Sequence, residues 1–321
     1  MRSCVSTLFV LILSNPFLLR PLYALASANG QLALTLKIAI PEMASCQQLV
    51  TVTTNNWDDL NASVQLYERP AGGGTSWRRL GNAFPAVIGE NGLAWGIGVH
   101  GTGQRGEPRK REGDKKAPAG VFQFSDVFGT ARPDQVRFFR LPYRQVTPTT
   151  EAVDDPKSKY YNQVVDRTSV THPDWASSES MLQVGGRYRL GVIIEHNAAA
   201  YPGFGSCIFF HVWDPSYPGT TGCTASSFSH LVQLLRWLDP KKNPLIVQLP
   251  VDRYQQLKQR WGLPALPSNE TYGTHETYEL PRSLSPSGPS ARDSIDRYAF
   301  LGLTPLLAPT PPPLTIPEKT G

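Results

Sequence analysis

Two residues in this chain have the chemical types and the spacing to act together. His211 and Cys223 stand twelve positions apart, on either side of a turn-rich stretch that ends in Gly222. An imidazole within reach of a thiol takes its proton and leaves a thiolate, the form of sulfur that attacks carbonyl carbons. The same residues also have an inert reading. A buried cysteine often only fills space, and a Cys and a His across a loop need not meet.

The elements that must carry the pair can be read on both sides. The apolar run 208–213 reads as a strand, and alternation puts Cys207, Phe209, His211 and Trp213 on one face. Ile208, Phe210 and Val212 face the other way. Aromatic neighbours would bury the imidazole, disfavour its charged form and keep it available as a base. After Cys223, Ser226 and Ser227 are candidate N-caps for a helix whose Leu231, Leu234, Leu235 and Leu238 fall at helical spacing. That reading puts the thiol at a helix N-terminus, where unpaired N–H groups and the macrodipole favour a thiolate. His196 and His230 are the competing bases. His230 lies seven residues beyond Cys223, about two helical turns on, too far along to touch the sulfur. No CxxC or HxxxH spacing completes a metal site around His211 and Cys223, so no metal and no cofactor is expected.

The stretch 205–226 resembles the signature of the L,D-transpeptidase catalytic domain, the YkuD family, in which a strand-borne His precedes a Gly-Cys nucleophile motif. The resemblance covers roughly residues 46–264. Stretches 91–100, 113–122 and 153–162 are similar to one periplasmic branch of that family. It implies that Cys223 is the nucleophile, His211 the base and Gly222 part of an oxyanion pocket. Two positions depart from the commoner motif: Thr221 stands where a His precedes the Gly-Cys pair, and Ala225 where an Arg follows it. Thr221 is the substrate-side residue at the departed position. The implied fold is a mainly β, antiparallel sheet or sandwich domain with a helix after the nucleophile. The implied chemistry is acyl transfer on peptidoglycan stem peptides, giving crosslinks or an anchored wall protein. Two rivals stay open. One is hydrolysis by the same pair, as an endopeptidase, carboxypeptidase or amidase; the other is a non-catalytic cell-wall binding module.

The rest of the chain supports an exported, loop-rich β protein. Residues 1–26 read as a secretory signal, with Arg2, an apolar run from Val5 to Leu19 and a small-x-small site at Ala24-Leu25-Ala26. The expected location is therefore the periplasm or cell envelope. The chain has 321 residues, enough for a sizeable core. Its 29 prolines and 27 glycines favour β structure and loops over a helical bundle. Without Arg2 and Arg20, 29 basic residues face 26 acidic ones, a charge of +3 that gives no argument for nucleic acid. Cys46, Cys207 and Cys223 would remain, so at least one thiol is unpaired; either Cys46 pairs with Cys207, which spares the nucleophile, or all three are free thiols, the favoured reading because spacing cannot establish that two cysteines approach.

The domain is expected over residues 40–263. Short extended runs alternate with turns from Cys46 onward, and Asn91-Gly92 carries a hairpin signal. Trp57, Trp77 and Trp95 are assigned to the core. Further strands are expected at 121–124, 136–141, 188–195 and 245–249, and a last helix capped by Asp252. Arg109, Lys110 and Arg111 concentrate positive charge in a Gly-rich loop; they read as a solvated loop or as a surface for the carboxylates of a stem peptide. Residues 145–187 are polar and form a long excursion of the kind that walls a site. Residues 264–321 are rich in Pro and Ser and read as a tail without a core.

Overall fold

The computed structural model describes residues 40–71, 76–101 and 106–267. The signal-like segment, the triple glycine at 72–74 and the tail beyond 267 lie outside the described residues. The domain is mainly β: an eight-stranded mixed barrel, a small separate sheet and few helices.

A helix α1 (Pro41–Ser45) leads into β1 (Gln48–Thr54), whose Leu49, Val50 and Val52 are buried. The β-branched and apolar residues of β1 are covered on both faces, which is why the run does not alternate cleanly with polar residues. Strands β2 (Asn61–Glu68) and β3 (Arg78–Val87) continue antiparallel from it. A register shift between Val64 and Leu66 bends that pair. Next come β4 (Leu93–Trp95), the long β5 (Ala117–Gly129) and β6 (Tyr143–Gln145). Three short strands, β7 (Thr150–Val153), β8 (Gln163–Asp166) and β9 (Ser178–Ser180), form the small sheet. The chain then returns to the barrel through β10 (Leu190–Ile194), β11 (Phe209–Val212) and β12 (Thr224–Ser226). Helix α2 (Phe228–Trp237), strand β13 (Leu245–Pro250) and helix α3 (Val251–Trp261) complete it.

The barrel runs β10-β11-β12-β3-β2-β1-β13-β5 and closes by pairing β5 with β10. Closure removes the exposed edges that an open sheet would carry. This corrects the expected antiparallel sheet or sandwich. The pairs β1–β13 and β11–β12 are parallel, and β4 and β6 each add to β5 in parallel. Parallel neighbours cannot be joined by a tight hairpin: β11 reaches β12 through the loop 213–223, and most of the domain lies between β1 and β13.

Other local expectations change for identifiable reasons. Asn91 lies in a turn, but no hairpin follows, because β4 pairs with Ala117–Gly129 rather than with β3. Gly92, at φ +81°, brings its backbone so close to Trp57 and Asp58 that a Cβ would meet the Trp57 carbonyl at 2.1 Å. Residues 136–141 form no strand. Phe139 N–H closes a turn on the Val136 carbonyl, which lets Val136, Phe139 and Leu141 all reach the core. Asp252 sits in the first turn of α3 but makes no cap; Pro250 occupies the N-cap.

Two apolar clusters result. The larger holds the barrel core with Ile208, Phe210, Val212 and the buried face of α2, Leu231, Val232, Leu234 and Leu235. Each such leucine contributes roughly 1.5–3 kcal/mol by leaving water. Trp95 is buried there, with Trp57 and Trp77 half-buried against it. The smaller cluster lies on the other face of β11 and holds Phe128, Met181, Tyr188, Phe209 and Cys223. The excursion 145–187 brings Val146, Ala152 and Met181 to this second cluster.

Candidate functional site

His211 and Cys223 face the same way from adjacent strands. Parallel pairing of β11 with β12 sets His211 opposite Ala225 and Phe210 opposite Thr224. Residues two apart on a strand share a face, so Cys223, just before β12, sits on the His211 face one step along. Both line one cleft, of about 350 Å³ with its open mouth, together with Glu179, Arg187, Tyr188 and Ala225. Small partners flank the imidazole on both sides, Gly191 across β10 and Ala225 across β12. A Cβ on Gly191 would meet the Phe128 ring at 2.3 Å, so glycine is what lets that ring lie over the strand. Phe128, Tyr188 and Phe209 then pack edge to face, and Tyr188 meets the His211 ring at 5.2 Å between centroids.

The imidazole is oriented by its own strand. His211 Nδ1 lies 2.9 Å from the Val212 carbonyl. A carbonyl only accepts, so Nδ1 carries the proton and Nε2 is left as the basic nitrogen. The side chain is 4 % exposed. Burial, reinforced by Arg187 and opposed by the Val212 contact, holds its pKa down at about 4. The histidine is therefore a neutral base near pH 7.

The sulfur is equally enclosed. Cys223 is 6 % exposed, and its Sγ accepts the Phe209 N–H at 3.3 Å. Burial pushes its pKa up to about 12; the Phe209 amide, Lys110 and Arg187 pull it down, and Glu179 pushes it up. The expected helix-start thiolate is corrected here. Strand β12 intervenes, and α2 begins only at Phe228, capped by Ser227, whose Oγ accepts the His230 N–H. The dipole effect fades within the first turn, so α2 gives the sulfur little help. Resting Cys223 is a thiol, and the imidazole that shares its cleft is neutral.

The turn before Cys223 is locked by Thr220. Its Oγ1 accepts the Gly222 N–H at 3.1 Å and donates to the Cys223 carbonyl at 2.6 Å. The Gly222 amide, assigned to an oxyanion pocket from sequence, thus already has a partner. Gly222 itself has φ +146°, conformational space that favours glycine. Thr221 is exposed at the cleft wall.

The basic run splits three ways. Lys110 is buried, with Nζ 2.5 Å from Asp114 Oδ1 and 2.8 Å from the Arg111 carbonyl. It lies behind the turn, 3.7 Å from where a Gly222 Cβ would be. Arg111 stacks over the Phe204 ring at 4.6 Å, and Arg109 is exposed. Neither arginine lines the cleft. Lys110 acts on the site from beneath, as a fixed charge, and the three do not form one surface.

The other histidines are tied elsewhere. His196 is buried, accepting the Ile97 N–H on Nδ1 and meeting the Phe204 carbonyl through Nε2. His230 stacks on Phe84 at 4.5 Å and contacts Ser227 Oγ. Cys46 and Cys207 are free thiols in different clusters, Cys46 in the barrel core and Cys207 against the smaller one, so they are not a bonded pair.

Sequence reasoning missed four contributors: Glu179, Arg187, Tyr188 and Asn162. Asn162 Oδ1 accepts the Cys207 N–H at 2.8 Å, while its Nδ2 donates to the His196 and Asn197 carbonyls. Cys207 has φ +51°, a left-handed conformation that costs a non-glycine residue about 1–2 kcal/mol. That conformation places its carbonyl 3.7 Å from Cys223 Sγ. Asn162 falls inside the stretch 153–162, the only sequence signal for it. No protein-family model matches this chain, and no curated protein matches it.

Proposed function

We propose that this chain is an exported, cysteine-dependent acyltransferase acting on peptidoglycan stem peptides, of the L,D-transpeptidase kind. The observation that carries the reading is the shared face of His211 and Cys223 on adjacent strands, opening on one cleft.

In this mechanism the sulfur does not rest as a thiolate. With the thiol raised and the imidazole lowered, proton transfer to His211 Nε2 accompanies attack on the carbonyl. The Phe209 N–H supports the charge that develops on sulfur. The tetrahedral oxyanion needs a donor near the 220–223 turn, and Gly222 N–H serves once Thr220 Oγ1 gives it up. Collapse returns the proton from His211 to the leaving amine and leaves a thioester on Cys223. A second amine then attacks, giving a crosslink or an anchored protein. Water in its place gives hydrolysis with the same residues.

The burial of both groups is the observation that favours a second reading, a wall-binding module whose Cys223 only packs. Incubation with defined muropeptides, with products read by mass, separates the three. A new amide bond supports transfer, a shortened stem supports hydrolysis, and wall binding unchanged in Cys223→Ala without any product supports the module.

A further inference from the structure

Arg187 is the cation of the cleft. It stands on the short 3-10 turn Gly185–Arg189, whose Tyr188 packs beside His211. Its guanidinium lies 4.8 Å from the centre of the Tyr217 ring, at the cleft wall. Among the described residues it makes no hydrogen bond and no ion pair, although two carboxylates line the same cleft. Glu179 is held by the Tyr188 hydroxyl at 2.7 Å, and Asp214 by the Ser216 N–H at 3.0 Å. Glu179 feels Arg187 through space but does not reach it. A half-buried guanidinium backed by an aromatic face, with its planar edge unpaired, is prepared for a planar anion. Ala225, paired with His211 across the two strands, also lines the cleft and adds no bulk beyond a methyl group.

We infer that Arg187 is a specificity-determining residue that binds a carboxylate of the substrate while Cys223 attacks a neighbouring carbonyl. The substrate class is a peptide with a free carboxylate close to the scissile bond. The carbonyl part rests on the acyl-transfer reading; the anion subsite does not. The role assigned from sequence to Arg109 and Arg111 passes to an arginine 36 residues before the nucleophile.

The test uses two isosteric alkylating probes, iodoacetate and iodoacetamide, which differ in charge. The ratio of their rates at Cys223 is measured by intact-protein mass in the wild type, Arg187→Gln, Arg187→Lys and Arg111→Gln. A charge-assisted contact predicts that Arg187→Gln lowers the iodoacetate preference on the order of 10–100-fold. Arg187→Lys should restore part of it, and Arg111→Gln should leave it unchanged. In parallel, stem-peptide donors with that carboxylate free or amidated are compared for turnover. The wild type should prefer the free acid by a similar factor, and Arg187→Gln should erase the preference. A ratio dependent on Arg187 without turnover of any peptide keeps the subsite and removes the acyl-transfer reading. A ratio unchanged in Arg187→Gln, a Cys223 that neither probe reaches, or turnover indifferent to the carboxylate overturns the inference.

Discussion

Asn162 holds Cys207 in a left-handed conformation, and that conformation sets the Cys207 carbonyl 3.7 Å from the Cys223 sulfur. One carboxamide thereby links the excursion 145–187 to the strand that carries His211. Asn162→Ala removes three hydrogen bonds at once and leaves buried backbone groups unpaired. The expected cost is about 2–4 kcal/mol, read as a lower denaturation midpoint with an unchanged slope. Acylation of Cys223 should fall further than stability does, because the sulfur loses its neighbour. Activity that merely tracks the folded fraction would reduce Asn162 to a structural tie.

His211→Ala should lower acylation of Cys223 on the order of 10²–10⁴-fold. His196→Ala and His230→Ala should act through stability, since neither faces the cleft. The measurement is the rate of β-lactam or peptide thioester formation at matched folded fraction. An unchanged rate in His211→Ala would sink the base assignment.

Lys110→Met should destabilise the fold without first weakening substrate. Its ion pair with Asp114 is buried on the lysine side, and removing one partner of such a pair costs about 3–5 kcal/mol. Thermal unfolding of Lys110→Met and of Lys110→Met/Asp114→Asn checks this. The double variant should recover part of the loss, because no carboxylate is then stranded.

Stability should peak between about pH 6.5 and pH 9. His100, His196 and His211 are each held by burial at about 4, below an ordinary 6.5. Between those values the unfolded chain binds more protons than the folded one, so stability falls as pH drops from 6.5 towards 4. Cys46 and Cys223 are raised by burial to about 12 from 9.0. The unfolded chain loses those protons first, so stability also falls as pH rises from 9 towards 12. Urea midpoints across the range test both limbs. A flat acid limb would mean that the three imidazoles take up protons without unfolding the chain.

A chain ending at residue 267 should fold, and one ending at 261 should be severely weakened. Leu263 is buried and Leu266 packs against the core. The Gly262, Pro264 and Ala265 carbonyls accept from Trp77, Tyr254 and Tyr67. Losing buried Leu263 alone removes roughly 1.5–3 kcal/mol, and half-buried Leu266 adds less. The expected domain edge at 263 therefore lies a few residues short, and circular dichroism melts of the two truncations decide it.

What could be read from sequence was local. Alternation along 207–213 places Phe209 and His211 on the face with Cys223, and apolar spacing locates α2. The parallel pairings were illegible because they join remote segments. Nothing within 48–54 names residues 245–250 as its partner. Strand β12 has three residues, two of them good helix caps, so the chain before α2 reads as the helix start. Polar, half-exposed positions in β8 and β9 conceal the small sheet. Glu179 reaches the cleft from that concealed sheet, and Arg187 and Tyr188 from the short turn after it, which is why the basic loop at 109–111 took their place.

The seam between β1 and β13 also bears on the order of events during folding. Leu49 pairs with Leu245, so the barrel cannot close until nearly the whole domain has left the ribosome. Until then one side of β1 and one side of β5 offer unpaired backbone to any strand that passes. Contacts this distant in sequence slow the search, into the millisecond-to-second range seen for domains dominated by non-local pairing. Yield should therefore depend on how long those strand edges stay open against encounters with other strands.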